Sequence, residues 1–179
     1  MTMDRIGTEV SPVDRVSVGP PPFDDFYRAE LGRLVALARG LCPPAIAEDV
    51  AQEAMLVAFR KWRTVSELDR PDLWVRRVCA NLAVSSFRRR MVELRAVTRL
   101  AGRRGLEPLS EGTEEVWAAV RVLPKRQAQS AALRFVYDLP IADIAVVLGC
   151  SEGTVKQHLS RARAALRHAL DLEWEGDPS

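Results

Sequence analysis

Three cysteines in 179 residues, at 42, 79 and 150, form no CxxC pair and no Cys/His cluster. An odd count at wide spacing supports neither a disulfide framework nor a zinc site, and each thiol is expected to pack as a small apolar residue. Histidine is scarce as well: His158 and His168 lie too far apart for a pair of ligands on one helical face. No Ser/His/Asp set, phosphate-binding loop or metal cluster can be assembled, so the expectation is a protein with no catalysis, cofactor or metal of its own. No apolar run reaches the ~18 residues of a membrane span, and the N-terminus lacks the apolar core of an export signal. Membrane insertion is therefore not expected, and the cytoplasm is the expected compartment. Strand-like alternation and internal repeats are missing too. Lysine is nearly absent, 3 residues against 23 arginines, a weak hint of a GC-rich genome.

The charge that is present is unevenly spread. The net value is only +2. Yet residues 76 to 104 hold nine arginines and a single acid, Glu93, offset elsewhere by tail acids such as Asp171, Glu173, Glu175 and Asp177. A basic block on a near-neutral chain points to a polyanion-facing surface, with a solvated arginine run as the plainer alternative.

Helical periodicity dominates the rest. Residues 1–22 mix Pro, Ser, Val and Asp, end in "GPPP", and read as a flexible arm. Phe23, Tyr27, Leu31, Leu34, Ala38 and Leu41 step by three or four and predict a first helix from near Asp24, stopped by Gly40 and Pro43-Pro44. A second helix is predicted from about 45 to 62, a loop over 64–71, and a third helix from about 72 to 90 that can continue. Gly102, Gly105, Pro108 and Gly112 mark a linker. Further helices are predicted near 113–122, 125–137, 140–148 and 152–170. The expected fold is all-α. It comprises an arm (1–22), a small helical domain (23–92), a flexible linker (93–112), a second helical domain (113–171) and an acidic tail (172–179).

Three helical surfaces carry the functional signal. In the second helix Val50, Ala54, Val57 and Ala58 suit a core, and Met55, Phe59 and Trp62 widen the apolar surface. Asp49, Gln52, Glu53, Leu56 and Arg60 form a narrow polar stripe. A leucine inside an acidic stripe suits a protein interface, although single exposed leucines are common. In the third helix Val75, Val78, Cys79, Leu82 and Ser86 form the expected buried stripe, and Trp74, Arg77, Asn81, Val84 and Arg88 a second one. Arg and Asn can read base edges, and an aromatic ring can stack on an unpaired base. The plainer roles are core packing for Trp74 and an interhelix hydrogen bond for Asn81. Arg88, Arg89 and Arg90 would add phosphate contacts.

The third surface lies in "CSEGTVKQHLSRARAALR", residues 150–167. Val155, Leu159, Ala162 and Leu166 share one face; Gly153, Gln157, Ser160, Arg161 and Ala164 share the other. Ser151 stands at the N-cap position. Upstream, Ile141, Ile144, Ala145 and Leu148 precede Gly149, so helix, glycine turn and helix outline a helix-turn-helix. Lys156 and Arg161 can reach phosphates and Gln157 a base edge, while Ser151 and Thr154 lie where helix N–H groups favour a phosphate. A basic surface helix in an ordinary bundle is the alternative.

The stretches "AEDVAQEAMLVAFRKW", "RPDLWVRRVCANLAVSSFRRR" and "LPKRQAQSAALRFVYDLPIADIAVVLGCSEGTVKQHLSRARAALR" occur in one order. Together they closely resemble the bacterial RNA polymerase sigma factors of the extracytoplasmic-function group, over residues 23–90 and 113–170. The resemblance implies two helical domains, region two and region four, and partners in core RNA polymerase and promoter DNA. The helix matching 47–62 would dock on the coiled coil of the largest polymerase subunit, and the flap is a further polymerase contact. The loop and helix matching 64–90 would bind and open the minus-ten element. The helix matching 152–167 would read the minus-thirty-five element. An anti-sigma factor is a further implied partner. The family often has Asp where this chain has Ser85 or Ser86, and Ser-Arg in place of Gln157-His158. The resemblance therefore carries no target sequence. The chain ends soon after region four, so the extra C-terminal domain of some relatives is not expected. A stand-alone helix-turn-helix regulator that loads no polymerase remains the alternative, and the acidic stripe is what such a regulator would not need.

Overall fold

The structure, a computed structural model, describes residues 22–101 and 113–170, with side chains placed over 22–94 and 114–170. The arm before Pro22, the linker beyond Ala101 and the acidic tail lie outside the described residues. Within them the fold is all-α, with no strand: α1 (Phe23–Leu41), α2 (Pro44–Arg60), α3 (Trp62–Val65), α4 (Pro71–Ala101), α5 (Thr113–Val122), α6 (Lys125–Phe135), α7 (Ile141–Leu148) and α8 (Glu152–Ala169).

Proline starts most of these helices. Pro44 and Pro71 open α2 and α4. Pro22, Pro124 and Pro140 stand just before α1, α6 and α7 with φ of −56°, −51° and −57°. The ring presets φ near the helical value, and the missing N–H is one the first turn could not use. Gly40 does not stop α1. It lies inside the helix, buried, with the Trp117 ring of α5 against it; a Cβ there would come within 3.3 Å of two ring carbons. The expected second helix divides: α2 ends at Arg60, and Trp62 begins the short α3, whose Val65 is buried. The loop before α4 is thus shorter than the spacing predicts. The third predicted helix, placed to about Arg90, runs on to Ala101 and into the stretch assigned to the linker.

The first domain packs Leu34, Leu37, Ala38 and Leu41 of α1 against small residues of α2 (Ala47, Ala51, Ala54, Ala58) and Val75, Cys79 and Ala83 of α4. The run of alanines lets α2 lie close to its neighbours. In the second domain Leu133, Ile144, Val147, Leu148, Val155, Leu159 and Ala162 are buried together. The two groups also pack on each other, α1 against α5 and α6, and α4 against α6 and α7. This rotates the buried side of α4. Val78, Leu82 and Ser86 are only half-buried, whereas Ala80, Ala83 and Val84 are sealed because α6 and α7 cover that flank. The thiols behave as packing groups: burial pushes Cys42 up to about 11, against the opposing pull of Arg121, and raises Cys79 further.

A buried ion cluster joins the helices. Arg76 donates to both carboxylate oxygens of Glu30 on α1, at 3.1 and 3.2 Å, and pairs with Asp72 one turn earlier at 2.9 Å. Its guanidinium lies 4.6 Å from the centre of the Tyr137 ring. Burial disfavours the charged form of Asp72, but a hydrogen bond from Arg70 and the charges of Arg76 and Arg70 outweigh it, so its carboxyl sits below the usual range. Its stabilisation is therefore present above the unfolded value near 3.8 and lost as pH falls through the lower folded value. Glu30→Ala should cost about 3 kcal/mol in urea unfolding, since removing one partner strands a buried charge, and adding Arg76→Leu should recover much of it. An unchanged urea midpoint in Glu30→Ala would show that the pair does not hold the helices. Asp72→Asn should flatten the acid limb of a stability–pH curve, and an unaltered limb would assign acid unfolding to other groups.

Candidate protein and nucleic-acid interfaces

The polar stripe of α2 is a continuous surface. Asp49, Gln52, Glu53, Leu56 and Arg60 are all exposed, with Leu56 at 45 %. The opposite side of the helix is sealed by Ala47, Val50, Ala51, Ala54, Met55 and Ala58. Phe59, expected to widen the apolar surface of this helix, is 58 % exposed. It sits one turn beyond Leu56 and is held edge-on by Phe23, ring centres 5.1 Å apart, which in turn stacks edge-on against Trp62 at 5.2 Å. The aromatic ladder presents Phe59 as a rigid apolar neighbour of the acidic stripe. The signal was in the spacing: Gln52, Leu56 and Phe59 follow i, i+4, i+7.

The α4 stripe is not one surface. Trp74 is half-buried against the core, as the plainer role required. Val84 is buried. Arg77 is exposed, with its guanidinium beside Gly149 of the second domain. Asn81 is half-buried, and its Oδ1 accepts from the Gln129 amide of α6 at 3.0 Å; the same amide donates to the Ala80 carbonyl at 3.2 Å. The plainer role of an interhelix hydrogen bond is thus the one Asn81 fills in this arrangement. Arg88, Arg89 and Arg90 are exposed. Arg76 belongs to the buried ion cluster, so the arginine block is divided between structure and surface.

The helix-turn-helix is formed by α7 and α8. Gly149 ends α7 at φ 64°, ψ 46°, the left-handed region that glycine tolerates best. The Cys150 N–H closes the turn onto the Ala145 carbonyl at 3.1 Å. Ser151 Oγ then accepts from the Thr154 N–H at 3.2 Å, capping α8. That N–H is therefore already occupied. Val155, Leu159 and Ala162 are buried and Leu166 half-buried, while Gly153, Lys156, Gln157, Ser160 and Arg161 are exposed and Thr154 half-buried. His158 sits at the edge of this face. Burial lowers its pKa, and the charges of Arg126 and Arg161 lower it further, so it is neutral near pH 7 and adds no positive charge to the face. Among the described residues no group of His, Cys, Asp or Glu is placed to hold a metal. No described helix is long and apolar enough to cross a membrane.

These elements have close counterparts. Residues 26–92 match the family description "Sigma-70 region 2" and residues 113–166 match "Sigma-70, region 4". The chain is 30 % identical over 155 residues to an RNA polymerase sigma-E factor of Streptomyces coelicolor, covering 83 % of this chain and 85 % of that relative. It is likewise 30 % identical over 155 residues to the ECF RNA polymerase sigma factor SigM of Mycobacterium tuberculosis, covering 83 % and 76 %. Two solved structures share the fold. One is the sigma factor RpoE with the anti-sigma factor NepR from Bartonella quintana (TM-score 0.64, 24 % identity, 85 % of this chain and 98 % of that one). The other is CnrH with the cytosolic domain of CnrY (TM-score 0.58, 21 % identity, 85 % and 89 %). With both regions matched in order, and identity sustained across the greater part of the chain, this protein belongs to the extracytoplasmic-function group of RNA polymerase sigma factors, which bind core polymerase and direct initiation at specific promoters.

Proposed function

We propose that residues 23–92 act as region two and 113–171 as region four, with the work divided among three helices. The α2 stripe of Asp49, Gln52, Glu53, Leu56 and Arg60, with Phe59 beside it, docks on the coiled coil of the largest polymerase subunit. The turn before α4, and Trp74, Arg77 and Asn81 on it, bind and open the minus-ten element, with Arg88, Arg89 and Arg90 on phosphates. The α8 face of Gly153, Lys156, Gln157, Ser160 and Arg161, with Ser151 and Thr154 at its start, enters a major groove at the minus-thirty-five element. The polymerase flap meets the second domain. The protein works in the cytoplasm without catalysis of its own, and an anti-sigma factor holds it in reserve.

One observation carries the polymerase-loading reading: an exposed acidic–apolar stripe on a helix whose other side is sealed by small residues. A stand-alone regulator gains nothing from that surface. Asp49→Arg with Glu53→Arg should weaken capture of core polymerase while costing no more than about 0.5 kcal/mol of stability each, because both positions are exposed. Unchanged capture would remove the α2 stripe from the polymerase interface.

The α8 residues divide by chemistry. Lys156→Ala should weaken binding to matched and mismatched upstream duplexes alike and reduce the salt slope by about 1. Gln157→Ala should instead narrow the gap between the two duplexes by about 1 to 3 kcal/mol. Isotherms on both duplexes at two salt concentrations decide this, and equal losses from both variants on both duplexes would refute the division. For α4, Asn81→Ala in the polymerase holoenzyme should reduce promoter opening, read by permanganate reactivity, more than duplex binding. Equal loss in both steps would move Asn81 out of strand recognition.

A further inference from the structure

One edge of the α8 face gathers cations that no acid offsets. The helical repeat puts Lys156 and His158 about 100° to either side of Gln157, so they border the exposed face on opposite edges. Arg161 lies three residues beyond His158, a spacing that makes the two side chains neighbours. Arg126, in the first turn of α6, joins them from the adjoining helix: α6 packs on α8, and the Arg126 charge acts on the His158 ring more strongly than that of Arg161. Helices α5 and α7 also pack on α8, but no charge of theirs acts on the ring. Arg126 and Arg161 are both exposed. Among the described residues neither is paired with a carboxylate, and Arg126 reaches only the Gln129 amide oxygen, at 3.5 Å. Cations held this close without an acid repel one another, and an anion placed among them removes that cost.

The two nitrogens of the His158 ring differ. Nδ1 is sealed from solvent without a hydrogen-bond partner. Nε2 has no partner either, but it reaches solvent, so it is the nitrogen a ligand can meet. We propose that Arg126, His158 and Arg161 form a site for a DNA backbone phosphate on the groove wall opposite Lys156, and that His158 takes up one proton from solvent as the phosphate arrives. A phosphate oxygen can only accept, so Nε2 must carry a proton to meet it, and an imidazolium makes the stronger contact. In the free chain burial, then Arg126, then Arg161 hold the ring neutral near pH 7. A phosphate reverses the charge part of that balance: it neutralises both guanidiniums and adds a negative charge beside the ring. Binding and protonation are then linked, and affinity rises as pH falls. The proposal rests on the reading of α8 as the helix that enters the groove.

The test measures binding of the full chain, by fluorescence anisotropy, to a rhodamine-labelled duplex that the chain has itself selected from a randomised pool. Isotherms are taken at pH 6.0 and pH 8.0 at constant ionic strength, and far-UV circular dichroism confirms that each variant keeps its helices. The wild type should bind about tenfold more tightly at pH 6.0, within the limit of about a hundredfold that one linked proton allows over two pH units. His158→Gln should lose that difference. His158→Arg, charged at both pH values, should bind at pH 8.0 as tightly as the wild type at pH 6.0. Arg126→Gln should weaken binding at both pH values and reduce the salt slope by about 1. Calorimetry at pH 7.0 in two buffers of different ionisation enthalpy counts the protons directly, and the wild type should take up more than His158→Gln. His168 is exposed and common to all these variants, so it cancels in the comparison. A ring that merely fills the edge of the helix would give the wild type and His158→Gln the same pH profile and proton count, and that result overturns the proposal. If Lys156→Ala still weakens binding in that case, α8 stays in the groove and only this site falls. If Lys156→Ala has no effect either, the reading of α8 falls with it.

Discussion

Arg76 is the residue on which the arrangement turns. It is buried, and a buried guanidinium must be matched by acceptors. Glu30 supplies them from the middle of α1 and Asp72 from the first turn of α4. Meeting that one requirement fixes the start of α4 against α1. It also fixes Arg70, which shares Asp72 and reaches across to Asp143. The next residue, Arg77, is turned about 100° around the helix by the α-helical repeat, out of the core and toward Gly149. Two adjacent arginines thus serve opposite ends, one neutralised inside the first domain and one presented at its surface.

The second consequence of Arg76 is contact between the domains. Its free face carries the Tyr137 ring, a residue of the loop between α6 and α7. Tyr137 is pushed well above the usual phenol range, first by burial, so it stays neutral beneath the cation. The same loop holds Asp138 at φ 50°, a left-handed conformation that Asp accepts more readily than most residues; its Oδ1 accepts from Arg134. The loop is therefore shaped locally, and its position over α4 follows from that shape.

Much of this was legible in the sequence because it repeats. The α8 face, the glycine turn and the α2 stripe each follow the helical period, and a period survives whatever the rest of the chain does. Single contacts between elements distant in sequence have no period. Gln129 reads as one more polar residue on α6, and nothing nearby announces that its partner is Asn81, 48 positions earlier. Gly40 reads as a helix stop because Pro43 and Pro44 follow it; its real service is the missing Cβ that admits Trp117. The arginine block reads as one basic surface, but Arg76 is matched by buried Glu30 and half-buried Asp72 while Arg88 to Arg90 face solvent. Met55 and Phe59 both read as widening the apolar surface of α2, and only register separates them: Met55 turns inward, whereas Phe59 shares the stripe of Gln52 and Leu56.

The chemistry of the two kinds of contact explains how one chain can be compact and still serve two DNA elements. Each domain is held by side chains that lose their driving force if exposed: leucines and alanines in the first, leucines, isoleucine and valines in the second. The seam between them is mixed: α6 and α7 cover Ala80, Ala83 and Val84 of α4 and the Trp117 ring lies on Gly40, while Arg70 to Asp143, Arg121 to the Arg39 carbonyl and Gln129 to Asn81 add polar contacts. A hydrogen bond exchanged for one to water changes the free energy by only about 1 kcal/mol. The seam therefore combines polar groups that water can satisfy with apolar surface that it cannot, and it is the one line that the two matched regions share. Region two and region four lie on either side of it, and a promoter that offers two separated elements asks for a division at that line.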